Sequence, residues 1–140
     1  MPISPSRYVP YETKNIMIKI YSYEKKNLIG SIGNTGLKQD LLFNNITELI
    51  LETEYILNEI DFPQVAFNMR SFSDEKSQLN YEFEVNTNIS KKPIAQFRLS
   101  VIYRQNSSWQ GSLAFLDENK EINFRSVLEL IHLFDSALAK

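Results

Sequence analysis

The sequence predicts an α+β domain with a six-stranded, mainly antiparallel sheet and two helices on one face of it. Residues 16–57 align without a gap on residues 97–138 at an offset of 81 positions, with identical residues at seven of the 42 positions. In each segment, alternating apolar and polar residues precede a stretch with apolar residues at helical spacing. These observations predict an internal pseudo-repeat, ββα-ββ-ββα, in which a first unit (16–57) and a second unit (97–138) flank a central hairpin.

Composition and charge narrow the class of protein. The chain has 140 residues, 43% hydrophobic and 23% charged, which is typical of one folded globular domain. Its formal net charge of -2 gives no basic field, so direct nucleic-acid binding is not expected. It has no cysteine, which excludes disulfides and thiolate metal sites. Because we find neither a signal peptide nor a membrane-spanning stretch, we expect a cytoplasmic protein without a membrane partner.

The N-terminal part of the chain predicts an arm followed by a hairpin. Residues 1–14 contain three of the five prolines, which predicts an extended arm before a single domain over residues 15–140. Residues 15–23 alternate apolar and polar side chains and predict a strand. After a polar turn at 24–27, residues 28–33 predict the returning strand.

A helix is predicted over residues 45–60, and Pro63 ends it. Asn45 and Glu48 have the form of a capping box, in which each side chain satisfies a backbone N–H of the first turn. The apolar face of this helix repeats at helical spacing and comprises Ile46, Leu49, Ile50, Thr53, Leu57 and Ile60.

The rest of the chain predicts a central hairpin and a copy of the first unit. Ser126 and Glu129 repeat the capping box in the same register as Asn45 and Glu48. Because each ββα unit has an apolar face that it cannot bury alone, we expect the two units to share one core. The remaining predicted elements are a central hairpin (64–87) with strands 64–72 and 79–87, strands at 94–104 and 109–116, and a helix at 125–138.

No residue pattern predicts catalysis. His132 is the only histidine, and Leu51 takes its place in the first unit, so it is interpreted as a surface helical residue. The helical acids Glu48, Glu52 and Glu59 are predicted to face solvent. The sequence has no P-loop, no zinc-binding His-Glu-x-x-His and no nucleophile elbow. We therefore expect a protein that is not an enzyme and that has no catalytic residue, cofactor or metal site.

Two other residue types receive a structural interpretation. Trp109 aligns with Leu28, an inward position, so we expect it in the core rather than in a binding site. Gly30 and Gly111 lie inside strands at the same position of the two units. Interior strand glycines mark a bulge or a close approach. Each is predicted to make room for the helix of its own unit.

The sheet face turned away from the helices is the predicted partner-binding surface. Strict alternation places aromatic, aliphatic and cationic side chains on it, and such a face commonly meets a second copy or another protein. The apolar flank of the second helix, with Leu128 and Leu133, is the rival surface. The candidate partner-binding residues on the outer face are Tyr21, Tyr23, Arg98, Ile102, Arg104 and Gln110.

Three segments carry a resemblance. They are Phe-Pro-Gln at 62–64 with Arg-Ser-Phe at 70–72, Arg-Gln-Asn at 104–106 with Trp-Gln-Gly at 109–111, and the helix start at 124–131 with Asp-Ser-Ala-Leu at 135–138. Together they resemble a group of small uncharacterised Firmicutes proteins. The resemblance implies a lineage in Firmicutes or their phages, and it implies no activity or functional residue.

Three functional hypotheses follow. The first is a non-enzymatic protein-interaction module, homodimeric, that binds another macromolecule; the mixed outer face motivates it. The charge distribution also motivates this hypothesis, because residues 39–69 contain six acidic residues and no basic one. The second is a phage- or mobile-element-encoded inhibitor of a nucleic-acid-targeting defence complex, whose acidic first helix imitates phosphate. The third is a small-ligand-binding protein with a pocket between helices and sheet.

Overall fold

A computed structural model describes residues 14–60, 70, 72, 92–104 and 108–139. These residues form one antiparallel sheet of six strands in the order β3-β2-β1-β4-β5-β6, with two α-helices. The predicted α+β class is confirmed. The elements are β1 (Asn15–Ser22), a 3-10 turn (Glu24–Lys26), β2 (Ile29–Gly33), β3 (Leu41–Phe43), α1 (Ile46–Ile60), β4 (Ala95–Tyr103), β5 (Gln110–Phe115), a 3-10 turn (Leu116–Glu118), β6 (Lys120–Phe124) and α2 (Val127–Leu138).

The six strands are not the six that the sequence predicts. β3 and β6 lie in segments that the sequence presents as connections between a hairpin and a helix. β3 has three residues and β6 has five, so neither is long enough for a clear alternation of side chains. The predicted central hairpin (64–87) lies outside the described residues, except for residues 70 and 72, and so does the predicted arm except for Lys14.

The core lies between one face of the sheet and both helices. β1 and β4 pair at the centre, where Ile18 lies opposite Phe97 on one side and opposite Ile32 on the other. Phe134 of α2 meets Phe97 edge to face, with ring centroids 5.0 Å apart. α1 contributes Leu49, among others, to the same buried cluster, so both helices cover the same face.

Each long hairpin contains a bulge. The register shifts between Ile20 and Ser22 in β1, and between Val101 and Tyr103 in β4. One extra residue in a strand turns every later side chain to the opposite face of the sheet. The two bulges lie 81 positions apart, as the predicted offset requires, although a duplication of the chain stays a prediction.

The two strand glycines make room for backbone rather than for a helix, so that prediction is wrong. A Cβ on Gly30 would collide with the carbonyl oxygen of Lys19 and would lie 2.8 Å from Cζ of Phe43. A Cβ on Gly111 would collide with the carbonyl oxygen of Ser100. Both glycines lie next to a bulge, where the neighbouring strand comes unusually close.

The predicted cap residues Asn45 and Ser126 are confirmed, and the helices begin at Ile46 and Val127. Oδ1 of Asn45 accepts from the backbone N–H of Glu48 at 2.8 Å, and Oγ of Ser126 accepts from that of Glu129 at 3.1 Å. Each glutamate carboxylate reaches back to the N–H of the residue before the cap, at 2.7 and 2.9 Å. Both helices therefore begin with two backbone donors satisfied by side chains.

Candidate partner-binding surface

Four of the six predicted partner-binding residues lie on the outer face, which is the sheet face turned away from the helices. Tyr21, Arg98, Ile102 and Gln110 each adjoin a strand residue that is buried under the helices. The outer face is less apolar than predicted because small and polar residues occupy much of it. Ser31, Ser112 and Ala114 are buried between longer side chains.

Arg98 and Glu121, two charged residues of the outer face, are paired with each other. Nη2 of Arg98 lies 3.6 Å from Oε2 of Glu121, and Oγ of Ser112 donates to the same carboxylate oxygen at 3.3 Å. The outer face is therefore a mixed surface on which charged and small polar side chains lie among exposed apolar ones.

Tyr23 was predicted on the outer face, and the structure places it on the helix side because of the bulge in β1. Its hydroxyl donates to Oδ1 of Asp135 in α2 at 2.7 Å, and Nζ of Lys26 donates to the same oxygen at 2.7 Å. Burial, followed by the hydrogen bond to Asp135, raises the pKa of Tyr23 from 10.0 to about 12. The hydrogen bonds from Lys26 and Tyr23 lower the pKa of Asp135 below its usual 3.8.

Arg104 is also on the helix side, contrary to the prediction, because of the bulge in β4. Its side chain is 2% exposed, and Nη1 donates to Oδ1 of Asn58 at 2.8 Å and to Oε1 of Glu54 at 3.3 Å. Nε1 of Trp109 donates to the same Glu54 oxygen at 2.8 Å. Trp109 is buried in the core, as predicted. This cluster holds α1 against β4 and β5.

The contacts of Tyr23 and Arg104 are related by the same offset of 81. Position 23 contacts position 135, and position 104 contacts position 54. In each pair, the end of the first strand of one unit binds the helix of the other unit. We therefore interpret both residues as structural ties between the units and remove them from the partner-binding set.

The other titratable side chains considered in the sequence do not lie together in one site. His132 is exposed on α2, as predicted. Glu59 faces solvent and Glu48 caps its helix, but Glu52 is 3% exposed, so the prediction that it faces solvent is wrong. Within residues 14–60, 92–104 and 108–139, no three acidic or histidine side chains are grouped to hold a metal ion.

The structure shows another surface, which the sequence reasoning missed. We define the open side as the edge strand β6 together with the groove between α2 and the neighbouring strands. Residues 120–123 of β6 are all exposed, and Ile122, on the helix side of the strand, is 53% exposed. The groove has a volume of about 240 Å³, and its apolar lining consists of Phe97, Leu113, Phe115, Ile122, Leu133 and Ala137.

The rim of the groove is polar. Glu118, Lys120 and Ser136 line it, and Nζ of Lys120 lies 3.3 Å from Oε1 of Glu118. Of the rival helical surface, Leu133 lines the groove, whereas Leu128 is exposed in the first turn of α2. These two leucines are five positions apart, which places them on different flanks of the helix.

The corresponding edge of the first unit is closed. Leu41 in β3 stands where the second unit has Ile122, and it is 8% exposed. Ile56 in α1 is buried where α2 has Ala137. The smaller side chain on α2 leaves the groove empty and Ile122 uncovered. An isolated isoleucine within the polar segment 117–123, facing an alanine in the helix, was the sequence signal for this surface.

No α-helix in the described ranges is long and apolar enough to cross a membrane. Comparison with protein-family models, with curated proteins and with solved structures finds no match for this chain. The resemblance to small Firmicutes proteins therefore stays a prediction, and the case for a function depends on the geometry of the open side.

Proposed function

We propose that this protein is a non-enzymatic protein-interaction module that binds another protein through its open side. One observation carries the proposal: an exposed edge strand borders an empty apolar groove, whereas the corresponding edge of the first unit is filled. An edge strand offers a row of backbone N–H and C=O groups to an added strand. The groove beside it offers a site for an apolar side chain, which gives such an added strand its specificity.

The energetics favour a partner that uses both parts of the open side. Covering the exposed half of Ile122 contributes about 1 kcal/mol, which is too little for stable association alone. Backbone pairing along β6 fixes the direction and register of the partner. A stable interface buries about 800 Å² on each protein, so the partner must extend over the rim of the groove as well.

Capture with paired variants tests this function. The wild-type chain, Ile122→Lys and Ile102→Lys are used as baits in extracts of the native host. Both isoleucines are about half exposed, at 53% and 48%, so neither substitution places a charge in the buried core. We expect a partner that binds the wild type and Ile102→Lys equally and is lost from Ile122→Lys. A partner that all three baits retain equally would contradict the proposal.

A second candidate is binding of a small, largely apolar molecule in the same groove. Its volume of about 240 Å³ and its polar rim favour this reading. Ala137→Ile places the residue of the first unit into the groove and should abolish binding of an apolar fluorescent probe without loss of folding. Probe binding that survives this substitution would place the probe elsewhere and remove the candidate.

The inhibitor hypothesis has less support. It depended on an acidic first helix, but Glu52 is buried and Glu54 accepts from Trp109 and Arg104. Glu48 is half-buried and caps its helix, so Glu59 is the one exposed acid among the four glutamates of α1. Imitation of a phosphate chain needs several solvated charges, and α1 does not present them.

A further inference from the structure

We infer that the open side is occupied by a second copy of this chain, with the two β6 strands paired antiparallel around Ile122. This inference rests on the proposed function, because it names the protein that binds the open side. The dimer would have one continuous sheet of twelve described strands and helices on a single face. Three features of β6 favour a second copy: its register, its charges and the state of the opposite edge.

The register follows from the residues of β6. When a strand pairs with its own copy around a perpendicular two-fold axis, residues on the same face must lie opposite each other. With Ile122 opposite Ile122, all five residues of β6 find partners, and Glu121 lies opposite Asn123 on the outer face. A shift that centres the pairing on Glu121 would place two carboxylates opposite each other, which is unfavourable.

The charged side chains of β6 have ion-pair partners within their own chain. Lys120 is paired with Glu118 at 3.3 Å, and Glu121 is near Arg98 at 3.6 Å. A charged side chain on an edge strand normally discourages pairing with another strand. Here each charge has a partner in its own chain, so two edges can approach without a net repulsion from these groups.

The apolar surfaces of the two copies are complementary as well. Directly opposite residues of paired strands have Cβ atoms about 5 Å apart. The second Ile122 would therefore contact the first on the helix side, next to the groove formed with Leu133 and Ala137. Two half-exposed isoleucines would cover each other and the mouth of both grooves.

The opposite edge explains why assembly would stop at two copies. β3 has only three residues, and Leu41 and Phe43 are buried. A contact between two β6 strands uses the same patch on both copies and leaves no second open edge of this kind in the described sheet, so the assembly closes. Five paired residues form a small interface, which predicts an affinity in roughly the micromolar range.

Sedimentation across a concentration series tests the inference with the full chain. We expect the wild type and Ile102→Lys to convert from monomer to dimer as concentration rises. Ile122→Lys should stay monomeric, with an unchanged circular dichroism spectrum and the Tm of the dilute, monomeric wild type. A wild type that is monomeric at every concentration would overturn the inference. A dimer that Ile122→Lys leaves intact would also overturn it, since the contact would then lie on another face.

Cysteine cross-linking tests the register independently, because the native chain has no cysteine. Ile122→Cys should form a disulfide dimer under mild oxidation, since opposite residues in paired strands lie within disulfide distance. Ile102→Cys should not, and failure of Ile122→Cys to exceed this control would count against the pairing. If the chain is monomeric but a different protein is captured through Ile122, this inference fails while the proposed function stands.

Discussion

Tyr23 and Arg104 follow the two bulges, and each binds an acid on the helix of the other unit. Their chemistry differs, because one is a neutral phenol near the surface and the other is a buried guanidinium. A phenol that donates to a carboxylate loses its contact when it ionises. The contribution of the buried guanidinium is tested by removing it.

Because the pKa of Tyr23 is raised in the folded chain, we expect the protein to lose stability in alkaline solution. Its pKa is about 12 in the folded chain against 10.0 for a free tyrosine, so its contribution is fully present below pH 10 and is lost as pH rises through 12. Tyr23→Phe should be less stable than the wild type below pH 10 and should show a shallower decline above it. Urea unfolding over this range measures both effects.

Tyr103→Phe is the control for this experiment, because Tyr103 is exposed at the end of β4. It should keep the wild-type decline. If Tyr23→Phe and the wild type lose stability in parallel between pH 10 and 12, the contact between Tyr23 and Asp135 does not stabilise the fold.

We expect removal of the Arg104 guanidinium to lower the free energy of unfolding substantially. Arg104→Met would leave Glu54 with one donor fewer in a largely buried place, and removal of one partner from a buried ion pair costs about 3 kcal/mol or more. Arg98→Met removes an exposed pair on the outer face and should cost less than about 1 kcal/mol. Chemical denaturation of both variants measures the difference. Equal costs would mean that Arg104 is not a structural tie.

At the scale of elements, the helices and long strands could be predicted because their signals are local. Asn45 and Ser126 fix the helix starts through hydrogen bonds within one turn. β1 and β4 are eight and nine residues long, and their side chains alternate up to the bulges. β3 and β6 could not be predicted in this way because their pairing with β2 and β5, rather than their own pattern, makes them strands.

The bulges explain the errors in the candidate site. Strict alternation of side chains through residues 20–23 and 101–104 predicts Tyr23 and Arg104 on the outer face. Each bulge turns the residue that follows it to the helix side instead. A glycine opposite each bulge was the available signal, and it was interpreted as space for a helix. The groove was missed for another reason: it depends on the side chain that faces Ile122 across space, and Ala137 is far from it in sequence.

At the scale of the whole molecule, the strand order distinguishes two kinds of strand in the described sheet. Central strands are hydrogen-bonded to a neighbour on both sides, and edge strands on one side. Among the described residues, β1 and β4 each pair with two strands, whereas β6 pairs with β5 alone. Backbone amides exchange with solvent at rates set by local opening, and edge amides open most easily. β3 is also an edge of the described sheet, but two of its three side chains are buried, which should slow its opening relative to β6.

Hydrogen exchange at several protein concentrations therefore distinguishes a free edge from an occupied one. Amides of β1 and β4 should exchange slowly at every concentration. In dilute solution, amides of β6 should exchange fastest among the strands, and protection should rise with concentration in β6 while β3 stays unchanged. Ile122→Lys should remove this concentration dependence without altering β1 or β4. Exchange in β6 that is independent of concentration in the wild type would show that no second copy pairs with this edge.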